Sequence, residues 1–253
     1  MDQVRQLGTA LLVSMCLLPG PSLAGMGQDD RGQILRDWYR MILELVRHTP
    51  TYTPPVASRA FAYTAIIAYE SVTLTSEGWT SLGGQITGLA PLPAPDPARP
   101  LDPDAVLAAA MELAVDTYSS NTGPTGQRAK DAMAKAMDSM VSEGLDPATL
   151  DASRQHGQAI ARHVIDASMA DGGAVVENMG FPMTYTLGGE PQDWVPTNLI
   201  NLQQTPLLPG WGQNRPLVLP APDTCALPPP PIPKTPPRPS MPKRKRSTTP
   251  RKP

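Results

Sequence analysis

Histidines, the side chains most often used for acid–base or metal chemistry, are scarce in this sequence. The chain has 3 histidines, and His156 and His163 lie seven residues apart in a stretch with helical periodicity. That spacing places both rings on one helix face, with Asp166 one turn beyond His163. A zinc site would need a further strong ligand at matched spacing, and none is present, so we expect a solvated helix face. His48, beside a proline at a helix end, is expected to be a cap or a surface group.

Five other side chains could be buried and functional. Arg59 and Glu70 interrupt the most apolar helical stretch, and structural ion pairs with neighbouring helices are the favoured interpretation, with catalysis as the alternative. Trp38, Trp194 and Trp211 are interpreted as core anchors, and a ligand-stacking platform is the alternative.

Motifs for nucleophilic or phosphate chemistry are missing from these 253 residues. There is no Gly-x-Ser-x-Gly sequence and no Cys-His pair placed for nucleophilic attack. The stretch "NTGPTGQ" lacks the lysine and the preceding strand of a phosphate-binding loop. The sequence therefore predicts no catalytic, cofactor-binding or metal-ligating residue in this chain.

Apolar residues recur at helical spacing in five segments, which predicts an all-α bundle of about five helices. The second segment is apolar around most of its circumference and is expected to lie at the centre of the bundle. Capping signals mark the starts, since Thr53 precedes Pro54 and the pair Asp-Pro occurs at Asp102 and Asp146. The expected helices run from Asp29 to His48, from Pro54 through Val72, from Asp102 to about Ser120, from about Ala129 to Gly144, and from Asp146 to about Asp171.

Beyond the last helix the pattern changes. "GFPMTYTLGG" is compatible with a short hairpin, and the prolines of "TPLLPGWGQNRPLVLP", residues 205–220, predict an extended strap. The helical domain is expected to span residues 25–225.

Residues 1–24 predict a signal peptide. Arg5 precedes the apolar run "LGTALLVSMCLL", a Pro-Gly-Pro break and the small-residue site Ser22-Leu23-Ala24. We expect cleavage after Ala24 and export to the periplasm or the extracellular space, leaving no transmembrane segment, with a retained membrane anchor as the alternative. Cleavage would remove Cys16 and leave Cys225 alone, which excludes an intramolecular disulfide and a thiolate zinc cluster.

Charge is distributed unevenly along the chain. Residues 226–253 contain 11 prolines and eight Lys or Arg but no acid, so the rest carries 13 basic against 23 acidic side chains. This acidic body is not expected to bind nucleic acid. Residues 226–253 have no apolar periodicity and are expected to be disordered.

Three separated stretches resemble one family. "TPPVASRAFAYTAIIAYESV", "HGQAIARHVIDASMADGG" and "WVPTNLINLQQTPLLPGWGQNRPLVLP" are similar to the N-terminal helical region of bacterial proteins related to vanadium-dependent haloperoxidases and type 2 phosphatidic acid phosphatases. The family ordinarily has an aspartate near the position of Glu70. The resemblance covers about residues 30–225 and implies that the strap is the crossing between a first helical half and a catalytic half.

The oxyanion-binding motifs of that family are not found here. The family holds vanadate or phosphate with "KxxxxxxRP", "PSGH" and "SRxxxxxHxxxD" motifs. Leu208 stands where the first motif would place lysine before Arg215, and Ile160 stands where the ligand histidine would follow Ser153 and Arg154. No "PSGH" occurs. We therefore expect vanadate or phosphate only in the full-length family, and no catalytic residue is carried over.

Two functional interpretations remain open. In the first, the chain is a truncated or frameshifted exported protein, altered near residues 228–233 and inactive alone, whose partner would be a missing catalytic half or a second copy of itself. In the second, it is a non-enzymatic helical binding or scaffold protein with a genuine basic polyproline tail.

Overall fold

The computed structural model describes residues 26–73, 76, 78–174, 176, 178–190, 193–196, 205–220 and 227, without the side chains of residues 26–30 and 178. The chain divides into two units, Met1–Pro222 and Asp223–Pro253, and Leu227 is the part of the second unit that is described. The predicted signal peptide, both cysteines and the rest of the predicted tail lie outside the described residues. The predictions made for them therefore stay predictions.

The described residues form an all-α fold, as the periodicity predicts, and they contain no strand. None of the helices within these ranges combines the length and the apolar character that crossing a bilayer requires. The helices are α1 (Met26–His48), α2 (Pro54–Thr73), α3 (Pro103–Tyr118), α4 (Pro124–Ser142) and α5 (Pro147–Met169).

The predicted helix starts at the two Asp-Pro pairs are confirmed. The Asp102 carboxylate accepts hydrogen bonds from the backbone N–H groups of Asp104 at 3.1 Å and Ala105 at 2.9 Å. Asp146 caps α5 in the same way, accepting from Ala148 N at 3.1 Å and Thr149 N at 3.0 Å. Each aspartate satisfies backbone donors that the first turn of a helix leaves without intrahelical partners.

Replacing Asp146 by Ala is expected to lower the free energy of unfolding by about 1 kcal/mol, because the first turn of α5 loses its side-chain acceptor. Urea denaturation followed by circular dichroism measures this change. Asp131→Ala, at an exposed position inside α4, is the control, and we expect no loss of stability there. Equal losses in the two variants would contradict the capping role.

The centre of the bundle is α3, and the prediction that α2 lies there is wrong. The α3 helix packs against α1, α2, α4 and α5, whereas α2 packs mainly against α3 and α5. Alanines on several sides of α3 are buried, and their small side chains let neighbouring backbones approach closely. The residues of α3 that are buried are Ala105, Val106, Leu107, Ala108, Ala109, Ala110, Met111, Ala114, Val115 and Tyr118.

Two apolar clusters include residues of α3. The first joins α3 to α1 and α4 around Trp38 and Met111. The second joins α3 to α2 and α5 around Tyr63 and Ile67, and it also includes Leu89 from the connection between α2 and α3. Burial of Leu89 holds this connection, which has no regular structure, against the helices.

The predicted hairpin in "GFPMTYTLGG" is wrong, because residues 180–189 form no strand. The backbone of Gly180 instead bonds to the strap, where Leu208 N donates to Gly180 O at 2.7 Å. The strap is irregular, with one short 3-10 turn at Trp211–Gln213.

Candidate functional site

The most densely bonded polar group in the described structure is the carboxylate of Asp171, two residues beyond the end of α5. It is 5% exposed. It accepts hydrogen bonds from Arg59 Nη2 at 2.6 Å, from the Tyr63 hydroxyl at 2.6 to 2.7 Å and from Gly173 N at 2.8 Å. Burial, followed by the bond to Asp171, raises the pKa of Tyr63 well above its ordinary value, so the phenol stays protonated.

The guanidinium of Arg59 links this carboxylate to the strap. Its Nε donates to the Tyr63 hydroxyl at 2.7 Å, and Nη2 also donates to the backbone carbonyl of Arg215 at 2.5 Å. Its side chain is 15% exposed and forms an ion pair with Asp171, which confirms the structural ion pair predicted for Arg59.

Arg215 fixes the strap against the end of α5. Its backbone N–H donates to Asp171 O at 2.8 Å, and its Nη2 donates to Ala167 O at 3.0 Å, close to the negative end of the helix dipole. The guanidinium lies over Gly88, where a Cβ atom would come within 2.4 Å of its Cζ. Because Gly88 also has a φ of 80°, no other residue fits this position without strain.

These residues do not fit an oxyanion such as vanadate or phosphate. A carboxylate stands at the centre of the group, and it neutralises Arg59. Among the described residues, Nε of Arg215 is a buried atom of this group that lacks a hydrogen-bond partner. The guanidinium groups of Arg59 and Arg215 and the carboxylate of Asp171 leave one formal positive charge, which cannot balance a multiply charged anion. The arrangement therefore acts as a clamp that joins α2, α5 and the strap.

Glu70 differs from its predicted role. It is 2% exposed and forms no ion pair with any described cation, so the ion pair expected for it is wrong. Its carboxylate instead accepts from Ser81 Oγ at 2.9 Å and Leu82 N at 2.5 Å. Backbone and hydroxyl donors thus satisfy the buried acid, and they attach the connection after α2 to the last turn of that helix.

The histidines are not arranged as a ligand set. His156 is 9% exposed, so the solvated face predicted for it is wrong, because α5 packs closely on α3 here. His163 is half-buried with Nε2 at 3.0 Å from Ala90 O, and Asp166 is exposed. His48 lies on the surface beside Glu44, as predicted. No group of three or more His, Cys, Asp or Glu within the described ranges is placed to hold a metal.

Burial lowers the pKa of His156 below its ordinary value of 6.5. His156 therefore binds a proton more readily in the unfolded chain than in the folded chain. Its contribution to the free energy of unfolding is fully present above about pH 6.5, and it is lost as the pH falls below that value. Denaturant unfolding is expected to show a smaller loss between about pH 7.5 and about pH 5 in His156→Met than in the unsubstituted protein. The exposed control His48→Gln should keep the original loss, and an unchanged loss in His156→Met would contradict this assignment.

The tryptophans divide between core and surface. Trp38 is 1% exposed in the first apolar cluster, which confirms it as a core anchor. Trp194 and Trp211 are half-buried and belong to neither cluster, so the prediction is wrong for them. Trp194 packs edge-on against Tyr185, with ring centroids 6.2 Å apart.

The residues at the incomplete family motifs have structural contacts. Ser153 Oγ accepts from Asp102 N at 2.8 Å, and Arg154 pairs with Asp138 on the surface. Ile160 is fully buried. Leu208 has a φ of 51° in the strap. None of these contacts supports a catalytic role.

Sequence reasoning missed Asp171, Tyr63 and the contacts of Arg215. The Asp-Gly-Gly sequence from Asp171 to Gly173 was a usable signal, because an aspartate before glycine at a helix end commonly bonds to the backbone two residues on. Its bond to Gly173 N has this form.

The fold is similar to the crystal structure of the first bacterial vanadium-dependent iodoperoxidase, with a TM-score of 0.59 and 26% sequence identity. The helical bundle therefore has a haloperoxidase-related fold. The similarity covers 75% of this chain and 43% of the iodoperoxidase chain, so this chain spans less than half of that protein. No protein-family model matches the sequence, and no curated protein sequence matches it.

Proposed function

We propose that residues 25–225 are the non-catalytic helical half of an exported haloperoxidase-like or phosphatase-like enzyme, and that these 253 residues are inactive without a catalytic half. The observation that carries this proposal is the haloperoxidase-related fold over 43% of the iodoperoxidase chain. The oxyanion motifs are absent from these residues, and the clamp around Asp171 combines its arginines with a carboxylate, which repels an anion.

Titration calorimetry of the full chain with orthovanadate tests the absence of an oxyanion site. We expect no saturable heat, because Arg59 is already neutralised by Asp171. Saturable binding would overturn the proposal, and Arg59→Gln would then show whether the clamp is the binding site.

Reading the coding DNA in all three frames from codon 215 onward tests the link to a catalytic half. Another frame that encodes "PSGH" and "SRxxxxxHxxxD" would support a shifted reading frame. Their absence in every frame would favour the binding or scaffold interpretation. Export is tested separately by the N-terminal sequence of the secreted chain, which should begin at Gly25.

The surface of the bundle favours a half-domain over a complete scaffold protein. Many exposed large apolar side chains fall in the segments that follow α5, and such side chains mark an interaction surface where they form one contiguous patch. We propose that this surface contacts the catalytic half, or a second copy of the chain when that half is missing. The residues concerned are Met179, Met183, Tyr185, Leu187, Val195, Leu207, Val218 and Leu219.

A further inference from the structure

A small cavity lies beside the clamp, where the first turns of α2 meet the last turns of α3 and α5. Its volume is about 140 Å³. The rings of Tyr52, Tyr63 and Tyr118 line it together with apolar side chains that include Val56 and Met169. An engineered apolar cavity of about 150 Å³ is large enough to bind benzene, so this cavity has the size for one aromatic ring.

The walls of the cavity are held in place before any ligand binds. The Tyr63 and Tyr118 rings are stacked with centroids 5.2 Å apart. Tyr63 donates to Asp171, Tyr118 bonds to Ser168 Oγ at 2.8 Å, and Tyr52 donates to the backbone carbonyl of Tyr118. Because all three hydroxyls are bonded to the protein, the tyrosines offer a ligand their ring surfaces.

The cavity selects against charge. No charged side chain belongs to its described lining, and the nearby Arg59 is neutralised by Asp171. Burial raises the pKa of Tyr118, as it does that of Tyr63, so both phenols stay neutral. An ionic ligand would lose its hydration without gaining a counter-charge.

The rim of the cavity is polar. Ser120 and Asn121 line it and are exposed to solvent. A ring bearing one small hydroxyl-containing substituent could bury its apolar part and hydrogen-bond at the rim.

We propose that this cavity is a binding site for a small, uncharged, single-ring aromatic compound. The clamp thus has a second consequence, since the bonds that join α2 to α5 also fix one wall of the site. This assignment does not depend on the proposed catalytic half.

Fluorine NMR of the full chain with 4-fluorobenzyl alcohol tests the proposal. We expect a saturable change in the fluorine resonance with a dissociation constant of about 1 mM, and no saturable change with 4-fluorobenzoate, which has a similar shape and a negative charge. Absence of saturable binding by the alcohol, or equal binding of both compounds, would overturn the proposal.

Filling the cavity provides the matched test. Ala174→Leu adds volume at the lining and is expected to weaken binding at least about tenfold. Ala60→Val, at another lining position, serves if the first variant unfolds. Ala136→Leu, at an exposed position of α4, should bind as tightly as the unsubstituted chain. Circular dichroism confirms folding, and a folded lining variant that keeps full affinity would place the ligand elsewhere.

Discussion

Asp171→Ala is expected to lower the free energy of unfolding by about 3 to 5 kcal/mol, the largest loss predicted for any single side chain here. The substitution removes the acceptor for Arg59, Tyr63 and Gly173 N at once. Arg59 would remain mostly buried without its counter-charge, which costs more than the ion pair itself contributes. Denaturant unfolding monitored by circular dichroism measures the loss.

Asp151→Ala is the matched control for this prediction. Asp151 pairs with Arg99 at 3.2 Å, but the two side chains are 63% and 41% exposed, so we expect a change of about 0 to 1 kcal/mol. Adding Arg59→Ala to Asp171→Ala should cost little further stability, because the uncompensated charge is then gone. A small loss in Asp171→Ala, or a full additional loss in the double variant, would contradict the clamp.

Gly157→Ala is expected to lower the free energy of unfolding by about 3 kcal/mol. A Cβ at this position would come within 2.2 Å of the backbone oxygen of Val106, and a backbone atom cannot move aside as a flexible side chain can. The α3 and α5 helices would have to separate, which loosens the packing at the centre of the bundle. Helix propensity alone predicts an increase in the free energy of unfolding, since alanine is favoured over glycine by about 1 kcal/mol inside a helix.

The same denaturation experiment shows whether Gly157→Ala lowers or raises the free energy of unfolding. Gly189→Ala is the control, because no atom lies within 4 Å of the added Cβ and the change should be small. A stabilised Gly157→Ala protein would show that α3 and α5 are further apart than the structure indicates.

The local elements were predictable because their causes are local. Asp102 and Asp146 each cap a helix that begins with proline, and a left-handed glycine at Gly144 follows the end of α4. The segment around Gly180 was interpreted wrongly because a hairpin depends on pairing, and its backbone bonds to Leu208 instead.

The candidate site was predictable only in part because its members are far apart in sequence. Arg59 was recognised as a buried charge, yet its partner Asp171 is 112 positions away. Glu70 is likewise a charged residue within the apolar helix α2, but backbone and hydroxyl donors satisfy its carboxylate. Residue type indicates that a buried charge needs a partner, and only packing selects which one.

The sequence by itself determined the all-α class, the helix starts at Asp102 and Asp146 and the resemblance to the haloperoxidase-related helical region, because periodicity, capping and motif spacing are properties of neighbouring residues. Tertiary structure decided that α3 lies at the centre, that Asp171 joins α2 to the strap, and that three tyrosines enclose a cavity. These features depend on contacts between residues distant in the chain, where the shapes of packed surfaces, and not local preference, determine which groups meet.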